Sequence, residues 1–155
     1  ERVVLLSDAG YGFVTTLGDL HSRNRAGKVV LTLPDGARPL CPVPVPAGTD
    51  PESARIAVAA TSGRLLLFPL AELPLLAKGK GNKLLALLPE SKDGERERVV
   101  GAVVLGTDAA LQVTAGKRTL TLKAADLAGF EGTRGRRGTL LPRGFQRVTG
   151  LAAGV

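Results

Sequence analysis

The chain has 155 residues, 44% of them hydrophobic, which is enough for one compact core and too little for two large ones. A single cysteine, Cys41, excludes an internal disulfide framework, a single histidine, His21, argues against a His- or Cys-based metal site, and no apolar run approaches the roughly 18 residues of a membrane span. The 21 Lys and Arg against 14 Asp and Glu give a net charge of +7, with no acidic residue in 21–28, 78–83 or 133–147, which hold 3, 3 and 5 of the basic ones. The other residues, with 10 basic and 14 acidic side chains, are net negative, so the excess is segregated and points to a polyanionic partner.

In chain order, an apolar run at 3–6 leads to a turn at Gly10 and a second run at 13–16, then a short acidic-apolar stretch and the basic segment Arg23-Asn24-Arg25-Ala26-Gly27-Lys28. Five prolines between 39 and 51 follow, a stiff extended stretch expected to connect one unit to the next. The layout then recurs: a run at 56–60, a turn at Gly63, a run at 64–68, the stretch Leu70-Ala71-Glu72-Leu73, and Lys78-Gly79-Lys80-Gly81-Asn82-Lys83. A third copy has runs at 110–114 and 117–122 about Gly116, then Ala124-Ala125-Asp126-Leu127 and Arg134-Gly135-Arg136-Arg137-Gly138. Gly10, Gly63 and Gly116 are spaced 53 residues apart, and a repeat of that length decides a fold.

Two short apolar runs separated by a few residues around glycine predict a hairpin, so each copy is β. Helix is expected to be scarce, since Pro74 interrupts 70–77 and 124–130 allows only two turns. The expected fold is therefore all-β, an open propeller-like array of about three blades over 1–53, 54–97 and 98–155. Closed propellers use four to eight blades, so three copies make either an open array or part of a larger one, and the absence of methionine agrees with an excised piece.

Glycine interleaved with Lys and Arg lets backbone approach a phosphate while cationic side chains reach the next one. No helix suits base reading in a groove, and only five aromatics, Tyr11, Phe13, Phe68, Phe130 and Phe145, are available as stacking platforms, none within the glycine-basic cores. Sequence-neutral duplex binding is the expected function. Its candidate contacts are Arg23, Arg25, Lys28, Lys78, Lys80, Lys83, Arg134, Arg136 and Arg137, supported by Arg143 and Arg147. No active site is assigned: His21 has no thiol companion, Cys41 reads as small hydrophobic packing, and Gly27-Lys28 precedes Val29 where a phosphate-cradling loop needs Ser or Thr. A protein-binding scaffold and a binder of anionic polysaccharide or membrane surface are the other classes. The first wants an aromatic hot spot, and heparin competition tests the second.

Arg25-Ala26-Gly27-Lys28, Phe68-Pro69-Leu70-Ala71-Glu72-Leu73-Pro74, the two later basic segments and Arg143-Gly144-Phe145-Gln146-Arg147-Val148 resemble, in order, the C-terminal domain of ParC, the A subunit of bacterial topoisomerase IV, a type IIA topoisomerase. The related gyrase subunit, whose domain wraps DNA, carries Gln-Arg-Arg-Gly-Gly-Lys-Gly, and no copy here spells it. The resemblance implies a β-pinwheel whose blades exchange strands, with a basic rim that engages the transported duplex for relaxation and decatenation. It implies no cofactor in this domain, ATP and Mg serving only the full enzyme. Its implied partners are the B subunit of topoisomerase IV, the rest of ParC and duplex DNA. It also implies a cytoplasmic, nucleoid-associated setting and a catalytic tyrosine upstream, a role that Tyr11 is not given.

Overall fold

The computed structural model describes residues 2–16, 37–40, 43–45, 50, 52–75, 81–87, 97–106, 109–136, 138–142, 144–145 and 147–153. Among these residues, eleven strands form three antiparallel sheets, and helix is confined to α1 (Ala124–Leu127) and 3-10 turns at Leu70–Glu72 and Ala128–Phe130. Asp126 fixes the start of α1, its Oδ2 accepting the Lys123 N–H at 3.2 Å.

Each expected hairpin is present. β1 (Arg2–Leu6) pairs with β2 (Tyr11–Thr16), β4 (Arg55–Ala60) with β5 (Arg64–Pro69), and β8 (Leu111–Ala115) with β9 (Arg118–Leu122). The three repeat glycines all take positive φ, 91°, 88° and 64°, a region open to residues without a β-carbon. The third turn nevertheless differs. Ala115 faces Arg118 directly, leaving only Gly116 and Lys117 between the strands, whereas the first two hairpins have longer turns closed by Gly10 N–H to Ser7 O and Gly63 N–H to Ala60 O.

Every sheet is completed from outside its hairpin. In the first, β3 (Val43–Val45) lies against β1 and β6 (Asn82–Lys83) against β2. In the second, β7 (Val99–Leu105) lies against β4 and β10 (Thr139–Leu140) against β5. In the third, β11 (Gly150–Ala153) lies against β8. The outer strands β6 and β10 are contributed by the following copy, which is the strand exchange of a pinwheel. Their attachment repeats bond for bond: Leu84 N–H donates to Gly10 O at 2.6 Å and Leu141 N–H to Gly63 O at 2.8 Å. β9 has no such outer partner among the described residues, and the array is open.

Sheet membership runs across the limits drawn in the sequence: β7, which follows 97/98, pairs with β4 along 55–60, and β6, which follows 53/54, pairs with β2, because exchange builds sheets from non-contiguous sequence. The proline-rich stretch is also more than a connection. Val43 and Val45 are buried and Pro44 is exposed in an edge strand on β1, a position that tolerates a residue without an N–H.

The continuous apolar runs of β4 and β5 follow from burial on both faces. Ile56, Val58, Ala60, Leu66 and Phe68 join the core shared with the first sheet, while Ala57, Ala59, Leu65 and Leu67 join the core shared with the third. Polar ties reinforce the stacking. Asp8, buried in the first hairpin turn, accepts the Arg38 N–H at 2.9 Å and Arg98 Nη1 at 3.0 Å, and its carbonyl accepts the Val99 N–H. Arg55 at the start of β4 pairs with Glu131 of the third copy.

Candidate nucleic-acid interface

The exchanged strands position the basic segments. Gly81 and Gly138, at φ 83° and 79°, turn the chain onto the neighbouring sheet, and a β-carbon on either would collide with the carbonyl of Gly12 or Leu65 respectively. Gly12 and Leu65 occupy matching places 53 residues apart, so the glycines of the second and third basic segments do the same job: they let backbone lie on backbone. Lys83 follows Gly81 within β6, its Cα opposite Tyr11, and is exposed.

The second and third basic segments also meet each other. Gly135 N–H donates to Leu84 O at 3.0 Å, Ala86 N–H to Arg136 O at 2.9 Å, and Arg134 Nη1 to Lys83 O at 2.8 Å. Lys83 and Arg136 are thereby carried on two backbone segments held side by side, with both residues exposed, while Arg134 is half-buried. Segregated charge in the sequence becomes a joined basic ledge across two sheets.

A second cluster stands at the third hairpin. Lys117 at the turn and Arg118 at the start of β9 line a cavity of about 610 Å³ with Gly116, Gly144, Arg147 and Thr149. Gly144, at φ 96°, leaves room for the guanidinium of Arg118, whose Nη1 would lie 2.9 Å from a β-carbon there. Thr149 pins the turn: its Oγ1 accepts the Gly116 N–H at 3.2 Å and donates to Thr114 O at 3.1 Å. Three cations around an open cavity suit an anion.

Of the candidate contacts, Lys83, Arg134, Arg136 and Arg147 lie within the described residues. Arg23, Arg25, Lys28, Lys78, Lys80, Arg137 and Arg143 lie outside them, as do His21 and Cys41. The structure brings Lys83, Arg134 and Arg136 together and sets Arg147 in the other cluster. Lys117 and Arg118 were missed, because a search for acid-free glycine-basic segments reads 117–122 as a strand. The available signal was two adjacent cations directly after a repeat glycine. Tyr11 begins β2 beside Lys83. Among the described residues no group of three or more His, Cys, Asp or Glu gathers, and no helix is long and apolar enough to cross a membrane.

Comparison with known proteins agrees with this architecture. A sequence model of the family described as DNA gyrase C-terminal domain, beta-propeller, matches residues 1–38 and 55–105, more than half of the chain. The A subunit of DNA topoisomerase 4 from Pseudomonas aeruginosa is 49% identical over 148 residues, and that from Escherichia coli K12 is 39% identical over 148; each alignment covers 96% of this chain. The chain spans 19% of the length of these relatives. The solved structure of the E. coli ParC C-terminal domain superposes with a TM-score of 0.81 at 40% identity, covering 99% of this chain and 60% of that one. A C-terminal domain of DNA topoisomerase IV at 16% identity, TM-score 0.73, shares the fold over 98% of this chain and 46% of its own. With the repeat, the exchanged strands and the sequence order of the basic segments in agreement, the chain belongs to the DNA gyrase C-terminal domain, beta-propeller family, and within it stands with the ParC C-terminal domains of topoisomerase IV.

Proposed function

We propose that this chain is a non-catalytic, sequence-neutral duplex DNA-binding domain that engages the transported segment for relaxation and decatenation by a type IIA topoisomerase. The observation that carries the reading is the joined ledge of Lys83 and Arg136 on hydrogen-bonded backbone. The cavity cations Lys117, Arg118 and Arg147 add a second anchorage on a different sheet. Cations on turns and short edge strands reach phosphates rather than base edges, so binding is indifferent to sequence. In this reading nucleotide, magnesium and the attacking tyrosine belong to other parts of the enzyme, its B subunit is the further partner, and the setting is cytoplasmic and nucleoid-associated.

The test is a duplex titration at several salt concentrations. With four to six phosphates met, the slope of log affinity against log salt is expected to be roughly −4 to −5. Lys117→Ala and Arg118→Ala are each expected to reduce the slope by about one unit on duplexes of unrelated sequence alike. Altered preference among sequences would mean base readout. Heparin competing without any dependence of binding on duplex length would favour a general polyanion site.

A further inference from the structure

We propose that Arg134 is a positioning residue of this interface and not one of its phosphate ligands, an inference that rests on the duplex-binding reading. Arg134 is half-buried and its Nη1 donates to the Lys83 carbonyl at 2.8 Å, whereas Lys83 and Arg136 are exposed. A charge-assisted bond from a planar guanidinium to a backbone carbonyl fixes direction as well as distance. The carbonyl it holds belongs to β6, the strand that the second copy lends to the first sheet, while Arg134 itself belongs to the third copy.

The bond therefore couples three copies at one point. It is flanked by Gly135 N–H to Leu84 O and Ala86 N–H to Arg136 O, so the guanidinium closes a ladder whose two sides carry Lys83 and Arg136. Gly135, at φ 84°, turns the chain between Arg134 and Arg136 so that these two basic residues can differ in role, one half-buried and bonded to backbone, the other exposed. Cations set at a fixed spacing lose less freedom when they meet successive phosphates, and that is the contribution assigned to Arg134.

A positioning role and a ligand role differ in the salt slope, which counts phosphates neutralised. In this chain, Arg134→Ala is expected to weaken duplex binding roughly three- to tenfold through lost preorganisation, with the slope unchanged. Arg136→Ala is expected to lower the slope by about 0.9. Amide exchange of Gly135 and Ala86 in the free protein is expected to quicken in Arg134→Ala and to return toward the parent rate in Arg134→Lys. Should the alanine variant lose exchange protection at Val58 in the core, Arg134→Gln replaces it in the same titration. A slope loss equal to that of Arg136→Ala, or unaltered exchange at Gly135 and Ala86, overturns the positioning role alone. A parent chain without salt-dependent duplex binding overturns it together with the duplex reading.

Discussion

Gly81 lies against the carbonyl of Gly12 so closely that no β-carbon fits between them, and its φ of 83° is itself a conformation that L side chains rarely adopt. One residue thus meets two independent demands, steric and torsional, at the point where the second copy reaches into the first sheet. Gly116 meets only the torsional one, since nothing lies within 4 Å of its would-be β-carbon.

The pair makes a controlled comparison. Gly116→Ala is expected to cost about 1 kcal/mol, the strain of a left-handed alanine. Gly81→Ala adds a collision with backbone and is expected to cost about 3 kcal/mol or more, in the range kept for core and backbone disruption. Urea unfolding of both variants beside the parent chain checks this. Equal losses would mean that β6 can move away from Gly12 without consequence.

The central sheet is packed on both faces, and the face toward the third sheet uses small residues, Ala57 and Ala59, both fully buried. Ala57→Leu has nowhere to place three further carbons except against its cross-strand partners Leu67 and Val103 or their neighbours. Overpacking of this kind is expected to cost about 1 to 3 kcal/mol. Thermal unfolding read against Leu140→Ser, at a position 46% exposed, gives the contrast. The surface change is expected to stay within about 0.5 kcal/mol.

Asp8 accepts hydrogen bonds from two distant segments, the Arg38 backbone and the Arg98 side chain. Asp8→Ala leaves the Arg38 N–H without that acceptor and is expected to cost about 1 to 3 kcal/mol. Arg98→Ala removes only a partner whose side chain is 42% exposed, so about 1 kcal/mol or less is expected. A double variant separates the ion pair from the backbone bond. If Arg98→Ala proves as costly as Asp8→Ala, the ion pair and not the backbone bond dominates the tie.

The hairpins were legible because their cause is local: a glycine with positive φ between two apolar runs is a short-range signal, repeated three times. What escaped was whatever depends on which copy a strand joins. Nothing within residues 99–105 tells that they pair with β4, and nothing within 43–45 shows that a proline-containing segment will lie on β1, because both choices are made by distant partners. Strand exchange came from the resemblance, and the backbone collisions of Gly81 and Gly138 supply its physical reason only after folding. The interface divides the same way. Composition identified the basic segments, but it could not separate an arginine spent on the Lys83 carbonyl from one left exposed, and it passed over Lys117 and Arg118 because they sit in a strand signal.

On the function proposed above, the domain acts in a full-length enzyme as a non-catalytic arm that raises the effective concentration of a second duplex near the cleavage site, so its loss is expected to hurt capture more than bond breakage. Neutralising Lys83 and Arg136 on the ledge together with Lys117 and Arg118 at the cavity removes cations from two sheets while leaving the Arg134 bond and the glycine turns in place. At a salt slope of about 0.9 per contact, four such losses remove most of the electrostatic attraction. Relaxation of supercoiled DNA and decatenation of linked circles are then expected to fall by at least roughly tenfold, with drug-stabilised cleavage of one short linear duplex retained, because a short duplex needs no second segment. Measuring both on the same preparation decides the matter. Equal loss of the two activities would point to a folding or catalytic role for these residues, and equal retention would leave the ledge and the cavity without the capturing function assigned to them.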